Sequence, residues 1–426
     1  STFREAFSLP GALPRTFDFE GVAGDDIAYH LVRLLDDPRL RSLGKERAFE
    51  LIGVHKKRLC EYACVQRNFE VLKWARNELN LPWAQYPAEP VSDDVLVLHM
   101  LREAWPPLKG DWWVNEQPEE WPGVTMENGR VVELRLTHET LIFCPTGAVP
   151  AEIGQLTSLT RLDLRDNRLT SLPAEIGQLT SLEQLYLYGN ELTSVPAEIG
   201  QLTSLRCLDL AYNRLTSVPA EIGQLSSLTN LILGGNQLTS LPAEIGQITS
   251  LQWLHLNDNK LTSVPAENGQ LTSLEQLSLN GNHLTSLPAE IGRLSSLTWV
   301  SLDNNRLTGV PAEIGQLTSL RGLNLANNQL TSVPAEIGQL TSLMRLFLAN
   351  NQLTSVPAEI WQVTSLTRLF LGRKQLTSVP AEIGQLTSLE SMFLSDDQLT
   401  SLLAAIRGLR AAGCQVYLDD GVTDDE

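Results

Sequence analysis

A unit of 23 residues recurs from Leu159 to about Leu402 with little change between copies. One copy, Leu182 to Ser204, reads LEQLYLYGNELTSVPAEIGQLTS, and Leu205 starts the next. Eleven such units begin at Leu159, Leu182, Leu205, Leu228, Leu251, Leu274, Leu297, Leu320, Leu343, Leu366 and Leu389. A period of this size predicts a solenoid, in which each unit buries its apolar face only against its neighbours. Length therefore says little about domain count, because such a stack grows in one dimension.

The first part of each unit, LxxLxLxx, alternates apolar and variable residues at strand period. Leu182, Leu185 and Leu187 are predicted to point inward, and Gln184 and Tyr186 to the opposite face. The second part, PAEIGQL, predicts a short helical return with Ile176 and Leu179 inward and Pro173 at its first position. The Glu two residues after each Pro complements the helix N-terminus, so these eleven carboxylates read as a solvated stabilising stripe rather than a cation site. Stacked parallel strands lie about 4.8 Å apart, so twelve would span roughly 55 Å.

The LxxLxLxxNxLTS(L/V)PAEIGQLTS unit resembles the leucine-rich repeat family. The resemblance implies an α/β solenoid, a horseshoe with a parallel concave sheet, a helical or 3-10 convex side and a cap at each end. It also implies that the Asn closing each strand faces inward and bonds backbone, giving a ladder of Asn167, Asn190, Asn213, Asn236, Asn259, Asn282, Asn305, Asn328 and Asn351. The LPxxIGxL form is similar to intracellular plant Ras-group-related proteins and Ras-pathway scaffolds, and to expanded algal sets. Those relatives imply a protein partner such as a small GTPase, or a subunit of a larger complex.

Four segments are expected. Residues 1–88 read as a small helical module, with helices near 26–36, 45–64 and 69–80 and an ankyrin-like stretch at 64–83. Residues 89–130 resemble the family's N-terminal cap, with a helix from Asp93, Trp112, Trp113 and the run Trp121-Pro-Gly-Val. Residues 131–402 hold an irregular first repeat and the eleven units; 403–426 form a helix, a last strand and an acidic tail.

A net charge of −18 argues against unaided binding of nucleic acid or an anionic membrane. No run of eighteen apolar residues is present, which argues against membrane insertion. The five cysteines form neither a disulfide framework nor a zinc pattern. Thr125 stands where extracellular relatives carry a disulfide cysteine, and the N-terminus lacks a signal peptide. The expectation is an intracellular, most simply cytoplasmic, chain, or one that has shed an initiator Met or a transit peptide.

The eleven copies differ mainly at the outward strand positions, while the equally exposed PAEIGQLTS stays nearly uniform. That contrast points to recognition on the sheet face, through three groups of residues. The first is Phe347, Phe370 and Phe393 in one column, flanked by Arg345, Arg368 and Arg373; aromatics beside Arg are hot-spot chemistry. The second is Tyr186, Tyr188 and Tyr212, near Arg206 and Asp209. The third is Trp253, His255 and Trp299, a stacking platform suited to a sugar or peptide.

Some units break the pattern. Lys374 and Asp397 replace ladder Asn and should loosen the last two units. Asn268 replaces an inward Ile, and Trp361 replaces a convex Gly, either as a second contact point or for local packing. His255, Ser278 or Ser301, and Asp303 match a triad by residue type only; no P-loop, GxGxxG, HExxH or GxSxG motif is present. The chain is expected to be a non-enzymatic, cofactor-free and metal-free protein-binding scaffold. A glycan-recognition protein and a structural subunit of a large complex are the alternatives.

Overall fold

The computed structural model describes residues 93–105, 108–112, 118–137, 139–140, 145–372, 381–394, 403–411 and 413–418. The helical module and ankyrin-like stretch expected before residue 89, together with Arg373, Lys374, Asp397 and the acidic tail, lie outside them. The chain divides into two compact units, Ser1–Lys109 and Gly110–Glu426. In the first, helix α1 (Asp93–Ala104) buries Leu98, Met100 and Leu101.

The second unit is an α/β solenoid. Its sheet begins with β1 (Val124–Glu127) antiparallel to β2 (Arg130–Arg135). β3 (Thr146–Ala148) pairs apart from it with β5 (Arg168–Ser171). β4 (Arg161–Asp163) lies parallel to β2, and β6 (Gln184–Tyr186) parallel to β4. From there one strand follows every 23 residues: β7 (Cys207–Asp209), β8 (Asn230–Ile232), β9 (Trp253–His255), β10 (Gln276–Ser278), β11 (Trp299–Ser301), β12 (Gly322–Asn324), β13 (Arg345–Phe347), β14 (Arg368–Phe370) and β15 (Ser391–Leu394). Helix α2 (Leu403–Ala411) leads to β16 (Gln415–Leu418), which adds parallel to β15 and completes a fourteen-stranded sheet.

Equal unit length fixes the register. Leu162 pairs with Leu185, Leu185 with Leu208, and the column runs on to Leu369, Met392 and Val416. Leu182, Leu185, Leu187, Leu192, Ile199 and Leu202 are fully buried, and Val195 nearly so. At roughly 1.5–3 kcal/mol for each such side chain, burial outweighs the ordering cost only when both neighbouring units are present.

The return segment is a 3-10 turn, Ala174–Gln178 in one unit. Pro173 precedes the turn rather than starting it, because its backbone is still extended at φ −77° and ψ 156°. Glu175 is consequently the second residue of the turn. Most of the turns lie close to the next because of their glycine. A Cβ on Gly177 would meet both the backbone and the side chain of Glu198.

At the N-terminal end of this unit Trp112 and Trp121 stack at 4.8 Å, and Trp112 Nε1 donates to the Pro122 carbonyl. Among the described residues no helix is long and apolar enough to cross a membrane.

Candidate functional site on the sheet face

The ladder asparagines hold the strand ends and so fix where the outward side chains stand. Asn190 Nδ2 donates to the carbonyls of Leu187 in its own unit and Leu164 in the preceding one. Its Oδ1 accepts from the Leu169 amide at 3.0 Å. The same set recurs through Asn351. Asn167, the first rung, keeps its donor bonds, but its Oδ1 has no partner among the described residues.

The residue before most rungs turns with positive φ, which favours Gly, Asn or Asp; Gly189, Asp258 and Asn304 supply it elsewhere. Tyr212 holds this conformation at φ 53° and is 54% exposed. Its ring meets Tyr188 edge-on at 5.2 Å. Tyr186 does not join them: it lies under the guanidinium groups of Arg161 and Arg165, at 4.9 and 5.3 Å. Arg206 turns to Glu183, and Asp209 accepts from the Ala211 amide. Burial is the main cause that raises the Tyr186 phenol, the Cys207 thiol and the Asp209 carboxyl above their ordinary values.

The expected tryptophan platform is divided. Trp253 and His255 stack at 6.5 Å, nearly parallel. Trp299 belongs to β11, with Gln276 of β10 between it and Trp253. Its ring occupies the space that a side chain on Gly322 would fill, on the strand away from Trp253. Sequence columns name the residues but not which way a ring leans. His255 Nε2 is buried without a partner among the described residues, and burial pushes the imidazole below its ordinary value. Ser301 donates to Asp303 at 2.7 Å, and Asp303 also accepts from Asn304 and Asn324, so the three triad-type residues do not form a relay.

The phenylalanine column does come together, and it is longer than expected. Register sets Phe347 beside Phe370, Phe370 beside Phe393, and Phe393 beside Tyr417. The ring centroids stand 4.5, 4.2 and 4.5 Å apart, with planes within 19°. Strand spacing near 4.8 Å leaves rings in one column little choice but to stack. Tyr417, 46% exposed, is the added ring, and the alternation Gln415-Val416-Tyr417-Leu418 is the sequence signal that turns it outward.

Arg345 and Arg368 flank the stack, both exposed, and neither meets a carboxylate among the described residues. Arg321, on the preceding unit, is exposed and unpaired in the same sense. The early strands differ. Arg135 and Arg161 meet Glu133 at 2.7 and 3.0 Å, Arg165 meets Asp163 at 2.8 Å, and Arg214 meets Glu191 at 3.1 Å.

Trp361 is fully buried, so it packs locally and offers no contact point. Asn268 is buried too, and its Oδ1 lacks a partner among the described residues. Among the described residues, no cluster of His, Cys, Asp or Glu is arranged to hold a metal ion.

Family models place the chain among known sequences. A leucine-rich repeat region model matches residues 197–282 and 312–411, and further leucine-rich repeat models match 157–215 and 273–294. No curated protein matches the sequence. Among solved structures, a leucine-rich repeat protein of Leptospira interrogans is 38% identical, with 64% of this chain and 81% of that one covered and a TM-score of 0.47. The plant peptide hormone receptor RGFR1 in complex with RGF2 is 31% identical at a TM-score of 0.56, covering 64% of this chain and 45% of the receptor. The functional domain of InlJ from Listeria monocytogenes is 25% identical at a TM-score of 0.52, covering 63% and 54%. The chain thus spans about half the length of these last two.

Proposed function

The chain belongs to the leucine-rich repeat family, and from that premise we propose that it is a non-catalytic binding module whose concave sheet face takes a protein partner. The observation that carries this reading is the four-ring stack of Phe347, Phe370, Phe393 and Tyr417 beside Arg345 and Arg368, which meet no carboxylate among the described residues. Aromatic rings and Arg together are the side chains that most often dominate binding energy at protein interfaces. The likeness, at 31% identity, to a plant peptide hormone receptor solved in complex with RGF2 supports a peptide or protein ligand. The division of Trp299 from Trp253 and His255 weighs against the sugar platform.

The test compares the full chain with Phe347→Ser/Phe370→Ser in affinity capture from native extract, after both show matching melting curves. A partner recovered by the first and lost by the second supports the reading. Equal recovery by both moves the site away from the stack.

A further inference from the structure

We propose that the segment received at this patch is an acidic, extended stretch of the partner. The inference rests on the partner-binding reading above and gives that partner its chemistry.

Two observations carry it. The first is charge. In the early units Arg135, Arg161, Arg165, Arg206 and Arg214 meet Glu133, Asp163, Glu183 and Glu191 within the chain, and the exposed Arg168 is the exception among the described residues. Arg321, Arg345 and Arg368 are exposed with no carboxylate beside them among the described residues, in a chain whose net charge is −18. Uncompensated cations gathered on an acidic protein form a local positive field that steers an anionic partner and rejects a cationic one.

The second observation is ring orientation. The planes of Phe347, Phe370, Phe393 and Tyr417 lie face to face within 19°, so the inner faces cover one another and the free edges remain. A ring face is negative and a ring edge positive. A base or a sugar needs an open face on which to stack, and here only the two ends of the ladder offer one. A carboxylate, in contrast, is attracted by guanidinium and ring edge alike. Arg345 and Phe347 are alternate residues of one strand, so the cation and ring columns run side by side along the sheet. An extended segment laid across the strands presents carboxylates to one column and apolar side chains to the other.

The probe is a fluorescein-labelled peptide of alternating Glu and Leu, about eight residues long so that it covers the ring ladder. Matched peptides carry Gln or Lys in place of Glu, and binding is read by anisotropy on the full chain. The Glu peptide should bind at least roughly tenfold more tightly than the Gln peptide, with the Lys peptide weakest. Its affinity should fall as salt rises. Arg345→Glu/Arg368→Glu, surface changes that leave the rings in place, should remove that preference. Equal binding of Glu and Gln peptides, an unchanged preference in the charge-reversed chain, or no binding of any probe overturns the inference. A protein captured by the wild type and by Arg345→Glu/Arg368→Glu, but lost with Phe347→Ser/Phe370→Ser, sinks the acidic inference and leaves the binding reading standing.

Discussion

Gly177 lies against Glu198 of the next unit, so closely that a Cβ on the glycine would stand 2.7 Å from the Glu198 carbonyl oxygen. The same approach recurs at Gly338 against Glu359, also at 2.7 Å. This explains why the Gly of PAEIG hardly varies: it sets how closely successive turns pack. Trp361 breaks the rule and is fully buried, and the turn that follows it, Ala381–Gln385, packs less closely than the others.

Gly177→Ala should therefore destabilise the stack by about 1–3 kcal/mol, the usual range for overpacking. Gly384 is the internal control, since none of the described residues lies within 4 Å of a Cβ there. Thermal melting of both variants checks the difference; a loss at Gly384 equal to that at Gly177 would contradict the packing account.

Removing a rung from the middle of the ladder strands backbone groups that water cannot reach. Asn236→Ala leaves the Leu215 amide without its acceptor and removes one of the two side-chain donors to each of the Leu210 and Leu233 carbonyls. The expected cost is about 1–3 kcal/mol, seen as a lower melting temperature. Asn167→Ala should cost less, because Oδ1 there already lacks a partner among the described residues.

Asn268→Ile should work in the other direction. The wild-type amide is buried with its Oδ1 unsatisfied among the described residues, where the other described units carry a buried Ile. Restoring the Ile should raise stability by about 1–3 kcal/mol. A chain that melts no higher than wild type would mean that the site is satisfied in solution.

Burial lowers the pKa of the His255 imidazole from its ordinary 6.5. Between the folded and the unfolded value the unfolded chain binds more protons, so stability rises with pH in that window. Acidification through 6.5 should accordingly weaken the fold, and His255→Gln should flatten that part of the profile. Melting temperature against pH for both chains tests the sign. A wild-type profile no steeper than the variant's would remove His255 as the cause.

The repeat was legible because its cause is local and repeated. The period sets one unit per strand, the leucine spacing sets which residues turn inward, and equal unit length forces the register that brings Leu162, Leu185 and Leu208 into one column. From that register the Phe347, Phe370 and Phe393 column could be read directly, and the rings do stack. The tyrosine and tryptophan groups were less legible. Tyr186 is drawn under Arg161 and Arg165, and Trp299 fills the gap above Gly322, and both choices depend on the neighbouring strand.

The sequence by itself determined the solenoid, the inward core and the columns of outward residues. A periodic pattern constrains backbone and burial one unit at a time. Only the tertiary structure decided which arginines are paired, that Tyr417 extends the ring ladder, and that Trp361 is core. Those outcomes depend on the size and charge of side chains from different units meeting across about 4.8 Å, a relation that a one-dimensional repeat does not encode.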